Sequence, residues 1–386
     1  LEVLNGSPYE VDAQCEHFSD CGGCTFQNLN YEQQISAKEI QVKDIFQRIG
    51  GFLDVPNEPI LGCEEIFHYR NKMEFSFSNY EYVPRSVKER SQAKIVVGLH
   101  VPEKWDQILN INECHIQAPI ANDILRSIKK ITGKLEAYNI RKHTGFLRNV
   151  IIRVSANTDE VMVNFITNGE DENALLPIRD SLIAKFSAIT SIVNNITTRK
   201  AGISMGEHQI VLYGNDYIIE KLGNWEFIIS PESFFQTNTR QAEKLYDIVL
   251  EESNLTGSEI VYDLYCGTGS ISLYLSKHAK MVYGFELIVS AVQDAMQNAA
   301  MNGVKNTWFF AGDLINLFHE NSEVNDIEMP DVMIVDPPRA GLHAHIIEDI
   351  LEKSPRRIIY VSCNPATQAR DAKEICKEGY SLVKLR

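Results

Sequence analysis

A cysteine at the end of a predicted strand is the residue of this sequence best placed for covalent chemistry. Residues 357–362 form a short apolar run rich in β-branched and aromatic side chains, which predicts a buried strand. The strand must end by Asn364-Pro365, because proline cannot donate to a sheet ladder. Cys363 therefore lies where a strand runs into a turn, the edge at which open α/β sheets place functional groups. A lone cysteine is more often a buried structural residue, so other motifs must decide its role.

Three further cysteines have the spacing of metal ligands. Cys15, Cys21 and Cys24 follow a C-x5-C-x2-C pattern, and the two glycines between the second and third let the backbone fold tightly. Three thiolates need a fourth ligand, and four sulfurs suit either zinc or a [4Fe–4S] cluster. Cys63 and Cys114 both follow turn-like segments, and the spacing does not distinguish between them.

A glycine turn after a buried strand predicts a nucleoside site. The run Ile-Val-Tyr-Asp-Leu-Tyr-Cys at 260–266 opens into Gly267-Thr-Gly, and Glu286 ends the next predicted strand 19 residues beyond Gly267. Such an acid can bind both ribose hydroxyls. Ser272 replaces the third glycine of the dinucleotide fingerprint, which weakens an NAD interpretation. A ligand with a nucleoside but no pyrophosphate, such as S-adenosylmethionine (SAM), fits this pattern.

Two acids at later strand ends support the SAM hypothesis. Asp313 follows the third predicted strand, and Asp336-Pro-Pro follows the fourth, where the prolines hold the loop in one shape.

A SAM site next to a strand-end cysteine suggests a role for Cys363. Carbon 5 of uracil is too weak a nucleophile to attack a sulfonium methyl group. A thiolate that adds to carbon 6 makes carbon 5 nucleophilic, which is covalent catalysis. A base within RNA must leave its stack to reach such a pocket.

Composition indicates an ordinary globular protein in a reducing compartment. The 386 residues are 44% hydrophobic and 23% charged, and no apolar run reaches the ~18 residues of a membrane span. The N-terminus shows no signal peptide, and eight cysteines without one favour the cytoplasm. We expect no membrane association, and the sequence indicates no obligate protein partner. The net charge of −15 disfavours nucleic acid as a partner overall, although it says nothing about local patches.

The pattern of elements divides the chain into three predicted domains. Residues 1–68 hold the cysteine cluster region and a helix over 30–49. Residues 69–230 form a β-rich α+β central domain facing RNA, with half-buried alternation at 73–78. Residues 231–386 alternate strands and helices, which is typical of a doubly wound α/β sheet.

Two basic clusters in the predicted central domain are candidate RNA contacts. They are Arg70 with Lys72, and Arg141-Lys-His with Arg148, and each has an aromatic neighbour, Tyr69 or Phe146. Phosphate contacts combined with base stacking require this mixture. Each cluster alone is equally typical of a solvated strand end.

Taken together, three motifs resemble the RNA uracil-5-methyltransferases over nearly the whole chain. They are Asp-Leu-Tyr-Cys-Gly-Thr-Gly from 263, Asp-Pro-Pro-Arg-Ala-Gly from 336, and Val-Ser-Cys-Asn-Pro-Ala-Thr-Gln-Ala-Arg-Asp from 361. The branch that they resemble most is that of the 23S ribosomal RNA enzymes with an iron–sulfur cluster. The resemblance implies Cys363 as the nucleophile. It implies SAM contacts from Gln236, Tyr265, Glu286 and Asp336. It also implies a [4Fe–4S] cluster on Cys15, Cys21, Cys24 and Cys114.

Two departures from the family pattern lead to an expectation about the chain ends. The family's N-terminal RNA-binding β-barrel does not precede Leu1, and the glutamate that serves as general base would follow Arg386. We therefore expect either a truncated chain or impaired removal of the proton from carbon 5, and we name no base. The alternative substrate is the T-loop uridine of transfer RNA. The alternative class of protein is an RNA-binding metal protein without catalytic activity.

Overall fold

The computed structural model describes residues 6–54, 57–83, 95–200, 206–320 and 322–386. The strands are β1 (Lys72–Ser78), β2 (Glu81–Tyr82), β3 (Val96–Val101), β4 (Lys104–Asn110), β5 (Leu147–Val154), β6 (Val161–Thr167), β7 (Ile189–Ile196), β8 (His208–Gly214), β9 (Ile218–Leu222), β10 (Trp225–Ile229), β11 (Ile260–Leu264), β12 (Met281–Glu286), β13 (Thr307–Ala311), β14 (Val332–Val335) and β15 (Arg357–Tyr360). The helices are α1 (Tyr31–Ile45), α2 (Pro119–Ile131), α3 (Glu172–Lys185), α4 (Thr239–Ser253), α5 (Ser270–Ser276), α6 (Val289–Met301), α7 (Leu314–Glu320), α8 (Ser322–Asn325), α9 (Ala344–Lys353) and α10 (Pro365–Cys376).

The first helix confirms the prediction over 30–49. The Asn30 side chain caps α1 by accepting a hydrogen bond from the Glu32 amide. A π-helical turn, Phe46–Gly50, continues the helix, and Gly51 ends it with φ 78°, a left-handed conformation that glycine adopts without strain.

The middle of the chain forms an eight-stranded mixed sheet with the order β2-β4-β3-β1-β5-β6-β7-β8. The alternation predicted in β1 is confirmed, because Met73, Phe75 and Phe77 are buried in one core with α2 and α3. The opposite face near β6 and β7 packs on the last third of the chain, since Met162 and Val193 share a second core with Val261 and Ile334 of the parallel sheet. Sequence reasoning missed β2, β4, β7 and β10, of which β7 carries the buried polar side chains of Ser191, Asn194 and Asn195.

The last third confirms the predicted α/β class. Five parallel strands stand in the order β13-β12-β11-β14-β15, and helices separate them in sequence. All the strands of a parallel sheet place their carboxyl ends at one edge, so the motifs that follow β11, β12, β14 and β15 come together there. The Asn238 side chain caps α4 by accepting from the Gln241 amide.

The first and last segments of the chain pack together. Phe46 of the π-helical turn lies in a small core with Ala369 of α10 and Leu385. The central sheet is joined to the last third by Asn71, whose amide N–H donates to the Thr237 carbonyl, and by the buried Arg153, which donates to the Ser233 carbonyl. The domain boundaries at 68/69 and 230/231 stay a prediction. Throughout the described part of the chain, every helix falls short of the length and apolarity that crossing a bilayer demands.

Candidate active site and cysteine cluster

The predicted nucleophile lies on a short loop between β15 and α10. Cys363 is exposed at the carboxyl edge of the parallel sheet. Asn364 caps α10 by accepting from the Ala366 amide at 3.1 Å, and the Ser362 hydroxyl accepts from the Asn364 amide at 3.0 Å. These local bonds fix the backbone on both sides of the thiol, which therefore has a defined position without being covered.

The cysteine loop is hydrogen-bonded to the loop that follows Asp336. Asn364 Nδ2 donates to the Arg339 carbonyl at 2.9 Å, and the Thr367 hydroxyl donates to the same oxygen at 3.3 Å. Arg370 donates to the Ala340 carbonyl at 3.0 Å. Two motifs that are separate in sequence thus form one unit in space.

Sequence reasoning missed the residue that holds this unit together. Asp371 is fully buried, and its Oδ2 accepts from the Leu342 amide at 2.8 Å and from the Tyr360 hydroxyl at 2.7 Å. Arg370 Nε donates to its Oδ1 at 2.7 Å. A side chain at Gly341, where φ is 79°, would meet Asp371 Oδ2 at 2.5 Å. The adjacent Arg and Asp that end the cysteine motif were the available signal for this anchor.

The glycine turn after β11 leaves room for a ligand. Tyr265 has φ 65°, a left-handed conformation that costs a non-glycine residue of order 1 kcal/mol and that clusters at functional sites. Gly267 has φ 55°, and no described atom lies within 4 Å of the place where its Cβ would be. A ligand can therefore approach the backbone at Gly267 closely.

Acidic side chains surround this turn. Glu286 at the end of β12 accepts from the Gly267 amide at 3.1 Å and from the Ile288 amide at 2.9 Å. Burial, together with the charges of Asp313, Asp371 and Glu286, raises the pKa of Tyr265 to about 12. Burial raises the pKa of Asp336 to about 6. The predicted residues Tyr265 and Glu286 thus lie at one site.

Asp263 lies beneath the turn and was not singled out from the sequence as a site residue. It is fully buried, and its Oδ2 accepts from the Ser272 hydroxyl at 2.5 Å, whereas its Oδ1 has no partner among the described residues. Burial raises the pKa of Asp263 to about 7, and the Asp336 and Glu286 charges act in the same direction. The turn is therefore built over a carboxyl group that resists ionisation.

Asp263→Asn should change how stability depends on pH. The folded-state pKa near 7 exceeds the ordinary value of 3.8, so the protonated group stabilises the fold fully below pH 4, and this contribution is lost as pH rises to 7. The free energy of unfolding of the wild type minus that of the variant should therefore fall by about 2–3 kcal/mol between pH 5 and pH 8. Urea unfolding at the two pH values measures it, and a constant difference would contradict the buried acid.

Gln236 lies on a loop that joins the central sheet to the parallel sheet. Asn71 Nδ2 donates to the Gln236 carbonyl at 2.8 Å and to the Thr239 hydroxyl at 3.0 Å. From there α4 leads to the turn, where the Tyr246 hydroxyl lies 2.9 Å from the Ser270 hydroxyl. Asn71 therefore anchors this loop to the central sheet, and α4 packs beside the helix that follows the glycine turn.

The structure brings four cysteines to one small cavity. Cys15, Cys21, Cys24 and Cys114 all line a space of about 20 Å³. Burial, with the charges of the other three thiols, raises the pKa of Cys21 to about 11. Within the described segments, no group of three or more His, Cys, Asp or Glu side chains is arranged to bind a single metal ion. Four sulfurs around one cavity nevertheless match the donor chemistry of an iron–sulfur cluster.

Cys114 and Cys63 have different surroundings. The buried Asn122 on α2 accepts from the Cys114 amide at 2.8 Å and donates to the Cys114 carbonyl at 3.1 Å. Cys63 instead donates from Sγ to the Glu65 carbonyl at 2.9 Å, and Asn238 donates to the same sulfur at 3.6 Å. Of the two candidates for the fourth ligand, Cys114 shares the cavity.

The sheet order, the glycine turn and the acids around it define a SAM-dependent methyltransferase. Comparison with known proteins agrees. The model of the tRNA (uracil-5-)-methyltransferase family matches residues 187–380. A solved structure, the Pyrococcus abyssi tRNA (uracil-54, C5)-methyltransferase in complex with S-adenosyl-L-homocysteine, has a TM-score of 0.74 and 31% identity over 97% of this chain and 81% of its own.

Relatives named only as RNA methyltransferases cover the chain almost completely. One from Chlorobaculum tepidum is 40% identical over 99% of this chain and 81% of its own length, and one from Bacillus cereus is 40% identical over 100% and 82%. The chain belongs to the tRNA (uracil-5-)-methyltransferase family and is a SAM-dependent RNA methyltransferase. The resemblance to RNA uracil-5-methyltransferases is confirmed, and the ribosomal branch stays a prediction.

Proposed function

We propose that this enzyme methylates carbon 5 of a uridine in 23S ribosomal RNA through a covalent bond between Cys363 and carbon 6. The observation that carries the proposal is the set of hydrogen bonds joining the Cys363 loop to the loop after Asp336, at the sheet edge that also holds the glycine turn. An exposed thiol at that edge can reach a base that has left its stack.

The proposed reaction proceeds through a covalent adduct between the enzyme and the uracil ring. The Cys363 thiolate forms a bond to carbon 6, and the electrons of the ring double bond move to make carbon 5 nucleophilic. Carbon 5 takes the methyl group as the sulfonium–methyl bond breaks, which leaves S-adenosylhomocysteine. A base then removes the proton from carbon 5. The double bond re-forms, and the thiolate leaves carbon 6.

We assign the methyl donor to the turn and the acids around it. Glu286 would bind the ribose hydroxyls, because its carboxylate already ends the second strand beside the Gly267 amide. Tyr265 and Asp336 follow the carboxyl ends of β11 and β14 at the same edge, and Gln236 would contact the donor from the loop before α4. The open space over Gly267 supports close approach of the donor to the backbone.

Glu286→Ala should weaken binding of S-adenosylhomocysteine by about 10- to 100-fold. The loss corresponds to hydrogen bonds between a carboxylate and ribose hydroxyls, which contribute about 1.5–3 kcal/mol. Isothermal titration calorimetry measures the affinity. Glu328→Ala is the control, since Glu328 forms an exposed ion pair with Lys280, at the amino end of the same sheet, and should change nothing. Equal affinities in the two variants would refute the assignment of Glu286.

We also propose that Cys15, Cys21, Cys24 and Cys114 hold a [4Fe–4S] cluster. The spacing of the first three and the shared cavity support this set. The cluster, when bound, would cross-link two loops that are about 90 residues apart in sequence. Zinc on the same thiolates is the alternative that metal analysis would reveal.

A specific observation favours transfer RNA as a second candidate substrate. The Pyrococcus abyssi structure that matches 97% of this chain is that of a tRNA (uracil-54, C5)-methyltransferase. The test is to incubate the purified enzyme with 23S ribosomal RNA and with transfer RNA side by side and to count 5-methyluridine in each. Methylation of the transfer RNA alone would move the proposal to its T-loop. RNA binding without tritium release from 5-tritiated uridine in either RNA would instead identify a protein without catalytic activity.

A further inference from the structure

One face of the central sheet carries a depression that the proposed reaction does not use. Along β1, Glu74 and Ser76 point away from the apolar core, because successive side chains of a strand alternate between faces. Near β6 and β7 this face is covered, since Met162 and Val193 pack against the last third of the chain. Near β1, β3, β4 and β5 the same face forms a depression of about 390 Å³ that is open to solvent. That volume lies within the range of small-ligand pockets.

The floor of this space is a connected polar network. Asn149 Nδ2 donates to Glu74 Oε1 at 2.8 Å and to the Ser76 hydroxyl at 3.2 Å. His100 Nε2 lies 3.1 Å from the same hydroxyl. Carboxylate and amide groups recognise bases that present an exocyclic amino group, as glutamate does with cytosine and asparagine with adenine. The floor therefore suits adenine or cytosine better than uracil.

A large aromatic side chain stands exposed at the edge of this floor. Trp105 on β4 lines the space and is 62% exposed. Its indole ring offers an apolar platform of the kind on which single-stranded bases stack. Stacking on Trp105 and hydrogen bonding to the floor can act on one base together.

Cationic groups border the depression on both sides. Arg148 lies 4.4 Å from the Tyr138 ring centre on one side, and Arg141 lies 4.7 Å from the Tyr80 ring centre and is paired with Asp106 at the rim. On the other side a second depression, of about 520 Å³, shares Glu74 and His100 with the first and is lined by Arg70. Arg148 is buried and donates to the Thr197 and Arg199 carbonyls, so the more exposed Arg141 and Arg70 are the candidates for phosphate contacts.

The second depression borders a segment that contacts the loop carrying Gln236. Arg70 is followed by Asn71, which holds the Gln236 loop through its side chain and its backbone N–H. RNA whose target uridine enters beside Gln236 would place neighbouring nucleotides along the sheet face. The net charge of −15 does not exclude such a path, because Arg148 lines the first depression and Arg70 the second.

We propose that the groove formed by Glu74, Ser76, His100, Trp105 and Asn149 binds an unpaired adenosine or cytidine that lies close to the target uridine in the RNA chain. This inference rests on the proposed function, since it names a second contact of the same RNA substrate. The groove contributes affinity and sequence preference, whereas the chemistry stays at Cys363.

The test uses the full chain and a fluorescein-labelled single-stranded RNA of ~12 nucleotides with a central uridine and adenosine neighbours, compared with the same RNA carrying uridine neighbours. Trp105→Ala should weaken binding of the adenosine probe at least about fivefold by fluorescence anisotropy and raise KM, with kcat unchanged. Asn149→Ala should remove the preference between the two probes. Trp308→Ala is the matched control, because Trp308 on β13 is 58% exposed at the far edge of the other sheet.

The two proposals fail separately. Binding by anisotropy does not require methyl transfer, so a wild-type enzyme that binds the probes but methylates neither ribosomal nor transfer RNA counts only against the proposed function. If Trp105→Ala and Asn149→Ala retain wild-type affinity and wild-type preference, the groove is not an RNA site. The wild type and all the variants should bind S-adenosylhomocysteine with the same affinity. A variant with a weaker affinity would have a structural defect, and its loss of RNA binding would not support the groove as an RNA site.

Discussion

Replacing Cys363 by alanine should lower methyl transfer to RNA by at least about 10⁴-fold, the order expected when a covalent nucleophile is removed. Binding of S-adenosylhomocysteine should stay at the wild-type level, because the thiol lies on the loop after β15, whereas the donor is assigned to the turn after β11. Rapid-quench assays with tritiated donor measure the first quantity, and calorimetry measures the second.

Cys376→Ala is the matched control for this substitution. Cys376 is the last residue of α10, the helix that begins two residues after Cys363, and it is half-buried at the end away from the sheet edge. Its replacement should leave the rate within about twofold, because Cys376 lies at the far end of α10 from the sheet edge. An alanine variant at 363 that still methylates RNA would exclude the covalent route.

RNA carrying 5-fluorouridine at the target position offers a second readout of the same residue. Fluorine cannot leave carbon 5 as a proton does, so the bond between Sγ and carbon 6 should persist. Mass spectrometry should then find the nucleotide on the peptide that contains residue 363. The alanine variant should form no adduct, and a label on another cysteine would reassign the nucleophile.

Cys114→Ser should empty the proposed cluster site. Protein purified without oxygen should contain about four irons per wild-type chain and few in the variant. The melting temperature should also fall by at least about 5 °C. A metal centre binds the folded chain and not the unfolded chain, so its binding free energy stabilises the fold. Iron and sulfide analysis with thermal unfolding measures both, and one zinc per chain in a colourless wild type would refute the cluster.

Cys63→Ser separates the two cysteines that the sequence leaves equivalent. Cys63 accepts from Asn238 and donates to the Glu65 carbonyl, outside the cavity that the other four cysteines share. The variant should keep its full iron content. Iron loss in Cys63→Ser, with iron retained in Cys114→Ser, would reverse the assignment of the fourth ligand.

The elements that local sequence determines were predictable. The helix over 30–49 begins beside its cap Asn30, and the alternation over 73–78 marks a strand with one buried face. The strand β7 was not predictable, because asparagine disfavours strands in general. There, Asn194 is accommodated by bonds to the Phe165 carbonyl and the Thr167 hydroxyl of the neighbouring strand, which only the tertiary pairing supplies.

The same distinction applies to the site. Glu286 and Gly267 were predicted to lie at one turn from their separation in sequence, and the Glu286 carboxylate accepts directly from the Gly267 amide. The choice of Cys114 over Cys63 needed the fold, because Asn122 positions Cys114 from a helix that the spacing rules do not consider. The buried carboxyl groups of Asp263 and Asp371 likewise have roles that depend on which loops meet above them.

The contact between Phe46 and Ala369 has a consequence for biosynthesis. The two residues are more than 300 positions apart, so the π-helical turn near the start of the chain cannot find its final neighbours until the segment around 369–385 has left the ribosome. During that interval an apolar side chain made early stays open to solvent, and contacts of such long range form slowly. We expect the π-helical turn to complete its packing only after the segment around 369–385 has been synthesised, and the apolar side chain of Phe46 to be a candidate chaperone contact until then.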